Sequence, residues 1–301
     1  MNSFSLNRFG KTLRWVVSVN YRSLLMWTIG SALGVFLYEV MMQMIVAYHN
    51  PYYYVWGIAD VGEAFMVIAS VVFVCTVVSC IKDRRNRTTF LMLPSSNLEK
   101  YLALVFYVTV ICVLCMFLAF VVGDMLRMAW FWGSHVLSGK EAVSTVHEFN
   151  GVEGTYYFWS SSVEFTLSKM IPRLITVWSS GIYWGWYEWA TWILAVMTAV
   201  WTHSFFTLGG TLLRKYAFAI TGIAWFAILV LFMGFIRHFN LDLTSKVWIH
   251  DHFEGLSVGA MAYVLMVALP LLSYFNYRAS FHIFKGFQLI TNKWTNYDIF
   301  K

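Results

Sequence analysis

Long apolar runs without charge dominate this sequence and restrict its fold more than any other feature. A membrane-spanning helix needs about 20 mostly apolar residues to cross about 30 Å of hydrocarbon. Six stretches meet that requirement, at about 24–45 and within 64–81, 101–123, 189–213, 216–236 and 256–277. Because the runs are continuously apolar rather than alternating, they predict helices and not the strands of a barrel.

The composition excludes most soluble classes of protein. Apolar residues make up 59% of the 301 residues and charged residues only 12%, about half of the charged share that is usual in soluble domains. A soluble domain of this composition would lack polar cover for its surface, and disordered, coiled-coil and collagen-like chains have other compositions. We therefore predict an all-α polytopic membrane protein, in which residues 1–301 form a single transmembrane domain of six helices.

The distribution of Lys and Arg predicts the topology. If the six runs cross the membrane in turn, 15 of the 21 basic residues fall on one side and 6 on the other. Basic residues mark the cytoplasmic side, which places both termini there and predicts a multi-pass protein of the cell inner (cytoplasmic) membrane. The basic residues then form a rim that faces anionic headgroups of the lipid bilayer, so a nucleic-acid partner is not expected.

Three segments outside the runs have predicted locations. Residues 1–23 have the basic and apolar pattern of a cytoplasmic interfacial helix, with a frayed terminus as the alternative. Residues 124–188 form an outer connector rich in Trp and Tyr, which favour the headgroup region. Within it, 163–183 is predicted to be interfacial or re-entrant, and the alternative is a seventh span. Residues 278–301 form a cytoplasmic tail.

Glu39 is the sharpest exception to the apolar pattern of the first run. A charge at that depth is costly and usually faces protein or water. Gln43 follows four residues later and so lies on the same helical face. We predict a polar element of a translocation path or a subunit contact, and the alternative is a structural acid near the outer interface. Gly30 and Gly34 form a G-x-x-x-G pattern that predicts close helix packing.

The fourth run carries a polar stripe of Thr191, Thr198 and Thr202, with His203 beside it. Such a stripe can line a cavity. Thr in membrane helices more commonly forms hydrogen bonds to a neighbouring helix, and a single His is more often a core residue than a ligand. Both interpretations stay open, with Thr198, Thr202 and His203 as candidates for a translocation path.

The sequence lacks the motifs G-x-x-x-x-G-K-[ST], H-E-x-x-H and G-x-S-x-G. We therefore assign no catalytic residue, cofactor or metal to this chain, and expect a partner or an ion gradient to supply energy. An alternative is a membrane enzyme with an outer metal site, because His250, Asp251, His252 and Glu254 are residue types that hold zinc. Their spacing matches no closed zinc site, and it favours a solvated outer turn. The cysteines, all within the second and third runs, are predicted to pack as small apolar residues.

The cytoplasmic connector 82–100, called the elbow below, has the most specific pattern. It begins with a basic cluster, continues through the apolar patch Phe90–Leu93, and reaches Pro94, which ends any helix before it. Ser96 and Glu99 form the S-x-x-E capping box that starts the next helix. We predict a short amphipathic helix, a proline turn and a capped span, with the apolar patch exposed to a protein or to the membrane interface.

A Thr near the elbow, a leucine-rich turn and then Leu-Pro-x-Ser-x-x-Glu-Lys entering a membrane helix resemble the membrane subunit of ABC-2 type ABC transporters, in its short Bacteroides-like form. The resemblance covers 84–104 in detail. It implies that the elbow is a coupling helix docking on a separate P-loop ATPase, which holds ATP and Mg²⁺, and that permeases pair as homodimers or heterodimers. Carried over by position, the coupling residues are Arg84, Arg85, Arg87, Thr88, Thr89, Phe90, Leu91, Pro94, Ser95, Glu99 and Lys100.

The sequence departs from that family on the outer side. The connector 124–188 is about 65 residues long where the family has a short one, and 237–255 leaves little room for its outer re-entrant helices. We predict the permease subunit of an ATP-driven exporter, with export taken from the resemblance alone. A non-transporting membrane assembly or sensor subunit would share this fold.

Overall fold

The computed structural model describes residues 4–46, 49–81, 84–149, 152–166, 182–213, 216–239, 244–249 and 252–286. The described chain is mostly helical. Its helices are α1 (Leu6–Val46), α2 (Pro51–Cys75), α3 (Arg84–Met92), α4 (Asn97–Phe106), α5 (Cys112–Ser138), α6 (described over 162–166), α7 (Ile182–Leu212), α8 (Ala217–His238) and α9 (Ala260–Lys285). A short 3₁₀ helix at Ser79–Ile81 precedes α3, and a π-helical segment at Tyr107–Ile111 joins α4 to α5.

Five of the described helices are long and apolar enough to cross a membrane: Leu6–Ile45, Pro51–Cys75, Asn97–Ser138, Trp189–Leu212 and Ala217–His238. The prediction of a helical multi-pass membrane protein is confirmed at this level. The sixth predicted span falls on α9, which has 26 residues with Pro270 inside it and is not among the five. Six spans and cytoplasmic termini stay predictions.

Two helices are longer than the sequence pattern predicted. The basic N-terminal segment does not form a separate helix, because α1 runs through 41 residues without a break. At 1.5 Å per residue α1 is about 60 Å long, roughly twice the hydrocarbon thickness. The connector predicted to begin at 124 begins as helix, since α5 continues to Ser138.

Two β-hairpins depart from the all-α prediction. The first lies outside the apolar runs, and the last three residues of the second, 256–258, overlap the start of the sixth run. Strand β1 (Ser144–Phe149) pairs antiparallel with β2 (Val152–Tyr157) within the predicted outer connector. Strand β3 (Thr244–Ile249) pairs with β4 (His252–Val258), with an irregular register between Val247 and Trp248. Most of the predicted interfacial segment 163–183 lies outside the described residues, as does the tail beyond 286.

The chain divides into two compact units. The first comprises Met1–Val19, Val71–Thr109 and Thr176–Lys301. In this unit α7 packs against α8 and α9, and α4 contacts α9. Cys75 belongs to a buried apolar cluster with Phe206, and all four cysteines are free thiols. Glycine is required at 210, because a Cβ there would lie 2.6 Å from the Cys75 carbonyl oxygen.

The second unit comprises Asn20–Ser70 and Val110–Ile175. Its core contains buried residues of α2 together with Phe165 of α6. Helix α5 approaches α1 closely at Gly123, where a Cβ would lie 2.9 Å from the carbonyl oxygen of Ala32. This glycine therefore sets the distance between the two helices.

Candidate functional site

The elbow has the local structure that its sequence predicts. Helix α3 ends at Met92, Pro94 follows, and Ser96 is the N-cap of α4. The Glu99 backbone N–H donates to Ser96 Oγ at 3.3 Å, and the Ser96 N–H donates to Glu99 Oε2 at 2.8 Å. The capping box is confirmed. It fixes the direction in which α4 leaves the elbow.

Glu99 also fastens the start of α1 to the elbow. Its carboxylate is fully buried and accepts hydrogen bonds from the Ser5 backbone N–H at 2.7 Å and from Arg8 Nη2 at 3.0 Å. Arg8 Nε lies 3.2 Å from both carboxylate oxygens. Hydrogen bonds between charged partners are stronger than neutral ones, so this single side chain joins two helix starts.

Lys100 and Phe90 hold the C-terminal end of α3. The Lys100 ammonium donates to the Leu91 carbonyl oxygen at 2.8 Å, which satisfies one of the free carbonyls at the end of the helix. Phe90, predicted to be exposed, is fully buried. Its ring lies 5.6 Å from Trp15 and 6.5 Å from Phe284, between ring centroids. The prediction of an exposed Phe90 is wrong, because residues distant in sequence cover it.

Among the described side chains of α3 and the proline turn, the exposed ones are Arg85, Thr89, Met92 and Pro94, called the elbow tip below. Met92 is 79% exposed, although it is apolar. The remaining coupling candidates lie deeper: Arg87 is buried, and Thr88, Leu91 and Ser95 are half-buried. The side chain of Arg84 lies outside the described side chains. The tip is thus a small mixed surface on a helix whose C-terminal end is held to its own unit.

A second polar arrangement lies in the first unit. His203 Nε2 on α7 lies 2.7 Å from Thr109 Oγ1, and His203 Nδ1 lies 2.6 Å from the Tyr277 hydroxyl on α9. Thr109 belongs to the π-helical segment, a feature that is frequent at functional sites. Both ring nitrogens of His203 therefore have a partner.

Further hydroxyl and amide groups extend this arrangement along α7 and α9. The Asn276 amide donates to Ser204 Oγ at 3.1 Å. The hydroxyls of Tyr101 and Thr211 both donate to Ser280 Oγ, at 3.0 and 3.1 Å. We call the set the polar seam, and its members are Tyr101, Thr109, His203, Ser204, Thr211, Asn276, Tyr277 and Ser280.

The structure brings only one of the predicted residues of the fourth run into the polar seam. His203 is at its centre, whereas Thr198 is exposed and Thr202 is half-buried. The seam residues of α9 were missed by sequence reasoning. The sequence signal was a set of polar residues spaced three or four positions apart within an apolar helix: Ser273, Asn276, Tyr277 and Ser280. This spacing places them on one face of the helix.

A third polar cluster, which we call the acid–arginine cluster, lies in the second unit. Arg127 is fully buried between Glu39 and Asp124, each of which is 1% exposed. Arg127 Nη2 donates to Asp124 Oδ1 and, at 2.6 Å, to the Ser160 carbonyl oxygen. Its Nη1 donates to the Phe158 carbonyl oxygen. The guanidinium thereby ties the turn after β2 to α5.

The two carboxylates of the acid–arginine cluster differ in their hydrogen bonds. Asp124 Oδ2 accepts from Ser161 Oγ and the Ser162 N–H, both at 3.0 Å, and from the Val163 N–H at 3.3 Å. It therefore caps the start of α6. Glu39 Oε2 lies 3.2 Å from Arg127 Nε, yet among the described residues neither of its carboxylate oxygens accepts a hydrogen bond.

Sequence reasoning singled out Glu39 but missed its partners. The Tyr54 hydroxyl donates to the Glu39 carbonyl oxygen at 2.8 Å, which further fixes this turn of α1. The available signal was Asp124 and Arg127, three residues apart, directly after the third apolar run. Gln43, predicted on the face of Glu39, is half-buried.

The predicted packing at Gly30 and Gly34 is not found within the described chain. A Cβ at either position would meet nothing within 4 Å beyond its own helix. The close helix contact in this unit lies at Gly123 instead. The G-x-x-x-G pattern therefore makes no close helix contact among the residues that the structure describes.

The proposed zinc ligands fall largely outside the described part of the chain. His250 and Asp251 lie outside it, and only the backbone of His252 and Glu254 is described, in β4. Within the described ranges no group of three or more His, Cys, Asp or Glu side chains is placed to hold a metal ion.

The fold and these sites define the class of protein as a helical, multi-pass membrane protein. Comparison of the chain with known protein families, with curated proteins and with solved structures finds no match in any of the three. The function is therefore argued from the residues of this chain.

Proposed function

We propose that the chain is the membrane-spanning permease subunit of an ATP-driven exporter of the cytoplasmic membrane, and that a separate P-loop ATPase docks on the elbow tip. The observation that carries the proposal is the fastening of α3. A short helix with an exposed outer surface is joined to its own unit through Lys100 and the buried Phe90 ring. The turn that follows the helix is joined to the same unit through the buried carboxylate of Glu99. Such a helix transmits displacement instead of bending away.

The contacts of the elbow indicate which helices a displacement of α3 would move. Glu99 would transmit the displacement of the elbow to the start of α1 through its ion pair with Arg8, and to α4 through the capping box. Phe90 would transmit the displacement of α3 to α9 through its ring contact with Phe284. Close-packed protein interiors have low compressibility and therefore transmit strain. ATP-dependent closure of two partner ATPases on paired permeases is then the source of movement, and this chain hydrolyses nothing.

The polar seam is the second part of the proposal. In an apolar helix bundle, the hydrogen bonds of His203 with Thr109 and Tyr277 hold α7 and α9 in one register. We propose that these bonds exchange when the helices re-pack between inward-open and outward-open states. Transport requires that cargo binds the two states with different affinity.

A pull-down tests the proposal. Tagged protein is purified from its native membrane in a mild detergent, and the co-purifying proteins are identified by mass spectrometry. We expect a P-loop ATPase in near-equal amount with the unaltered chain, and its loss with Met92→Asp. The matched control is Leu137→Asp, which places the same charge at an apolar residue that is 89% exposed at the end of α5.

Three outcomes decide the matter. Loss of the ATPase with Met92→Asp alone supports docking on the elbow tip. Equal recovery with all three proteins contradicts it, and reproducible absence of an ATPase with the intact chain favours an assembly or sensor subunit.

A further inference from the structure

One exposed face of α9 changes in character along the helix. Four apolar side chains on this face are between 54% and 64% exposed: Val264, Val267, Leu271 and Phe275. Three exposed basic side chains follow on the same face: Arg278, His282 and Lys285. Successive members of this row are three or four positions apart, which places them all on one side of the helix. We call the row the α9 stripe.

The opposite face of α9 packs within its own unit. Ser280 on that face is buried. The Tyr277 hydroxyl lies 2.6 Å from His203 Nδ1 on α7. The Phe284 ring contacts that of Phe90 on α3. The α9 stripe is therefore the side of the helix that the described residues leave uncovered.

The two parts of the α9 stripe match the layers of one membrane leaflet in length. From Val264 to Phe275 the stripe rises about 16 Å along the helix axis, at about 1.5 Å per residue. Half of the hydrocarbon layer is about 15 Å thick. The basic part, from Arg278 to Lys285, covers about the next 10 Å, where the headgroup region lies. The stripe thus presents an apolar surface as long as an acyl chain, followed by cations at the depth of a phosphate.

The positive charge of the α9 stripe has no counter-ion among the described residues. Helix α9 contains no Asp or Glu, and the ion pairs found in the described chain do not include Arg278, His282 or Lys285. Lys285 Nζ lies 5.1 Å from the centre of the Phe281 ring, so a cation–π contact restrains it. A phosphate is the complementary group, because a guanidinium binds it through two hydrogen bonds and an ammonium binds it as a point charge.

We infer that the α9 stripe binds one anionic phospholipid of the adjoining leaflet, with the phosphate at Arg278, His282 and Lys285 and an acyl chain along 264–275. A second copy of the chain does not fit. Copies in one membrane share an orientation, so a two-fold contact through this face would set the cations of one copy against those of the other. A water-soluble acidic protein would cover the cations and leave the apolar residues uncovered. The inference does not depend on docking of an ATPase, since it concerns lipid binding alone.

Native mass spectrometry of the full chain tests the inference, because it counts the lipids bound to each protein molecule. The detergent-purified chain is titrated with palmitoyl-oleoyl phosphatidylglycerol, and separately with the phosphatidylcholine that has the same acyl chains. We expect the first phosphatidylglycerol to bind about tenfold or more tightly than the first phosphatidylcholine, since each Lys or Arg near an anionic headgroup contributes about fivefold.

Two further probes separate the headgroup from the acyl chain. Dihexanoyl phosphatidylglycerol keeps the headgroup but covers little of the apolar part of the stripe, so it should bind about tenfold or more weakly than the long-chain lipid. Glycerol phosphate has no acyl chain, and it should not displace the long-chain lipid.

Arg278→Ala locates the site, and Arg237→Ala is its matched control. Arg237 is also exposed and also follows exposed apolar residues at the end of a helix, but α8 contains no second Lys or Arg. We expect the affinity for the first phosphatidylglycerol to fall about fivefold in Arg278→Ala and about 30-fold when Lys285→Ala is added. In Arg237→Ala it should change by no more than about twofold.

Four results would each overturn the inference. Two are equal affinities for phosphatidylglycerol and phosphatidylcholine, and equal losses in Arg278→Ala and Arg237→Ala. The third is displacement of the lipid by glycerol phosphate, which would assign the cations to a soluble phosphate. The fourth is a change in the fraction of dimer instead of the number of bound lipids in Arg278→Ala, which would assign the stripe to a second copy. Melting temperatures in the same detergent show that each variant is folded when it is assayed.

Discussion

The acid–arginine cluster gives a prediction that compares two nearly equivalent changes. Asp124→Asn and Glu39→Gln each convert a carboxylate beside Arg127 into an amide, and both side chains are 1% exposed. Their hydrogen bonds differ, however. Asp124 accepts from Arg127 through Oδ1 and from the start of α6 through Oδ2. Glu39 accepts none from the described residues.

The magnitudes follow from that difference. An asparagine has only one accepting oxygen, so at 124 either the guanidinium or the α6 backbone loses its acceptor. Breaking a buried ion pair costs about 3–5 kcal/mol, and we expect Asp124→Asn to destabilise the protein by about that amount. Glu39→Gln removes a buried charge and leaves Arg127 paired with Asp124. We expect a change in unfolding free energy of about 1 kcal/mol or less.

Two assays measure the contrast. Reversible unfolding in mixed micelles with increasing SDS gives the difference in global stability. Hydrogen exchange reports the site directly, because the Ser162 and Val163 N–H groups donate to Asp124. Their exchange should accelerate about 30-fold or more in Asp124→Asn, which corresponds to about 2 kcal/mol, and stay unchanged in Glu39→Gln. Equal effects of the two substitutions, or the reverse order, would refute the assignment of the hydrogen bonds to Asp124.

Three further predictions concern packing, the seam and the elbow. Gly123→Ala should destabilise the protein by about 1–3 kcal/mol, because the added methyl group overlaps α1. The control Gly133→Ala, in open space on the same helix, should stabilise the protein by up to about 1 kcal/mol in the same SDS titration. Tyr277→Phe should lower stability by about 1 kcal/mol by removing a hydrogen bond to the half-buried His203. An unchanged unfolding midpoint would contradict this. Glu99→Gln should accelerate hydrogen exchange in the first turns of α1 and α4, whereas the control Glu141→Gln, at an exposed position, should not. Equal exchange rates in the two variants would contradict the role of the Glu99 carboxylate in joining α1 to the elbow.

The sequence predicts what depends on local pattern. The apolar runs predicted long helices, because the length needed to cross hydrocarbon is fixed by helix geometry. The capping box at Ser96 and Glu99 was predicted and found, since its two hydrogen bonds join residues three positions apart. The turn at Pro94 follows for the same reason.

The long-range contacts could not be predicted in this way. Phe90 is buried by Trp15 and Phe284, which no local pattern associates with it. Glu39 was recognised as exceptional, but its pairing with Arg127 joins different helices. Sequence spacing identifies a face of a helix, and only the packing shows which neighbour lies against that face.

Photo-crosslinking from the elbow tip shows directly whether an ATPase contacts this surface. The photoreactive residue p-benzoylphenylalanine is introduced at Met92, and separately at Leu137 as the control, in cells that express the native partners. We expect a crosslinked P-loop ATPase from position 92 and none from position 137. A crosslink to lipid alone from 92, or the same ATPase from both positions, would contradict docking on the elbow.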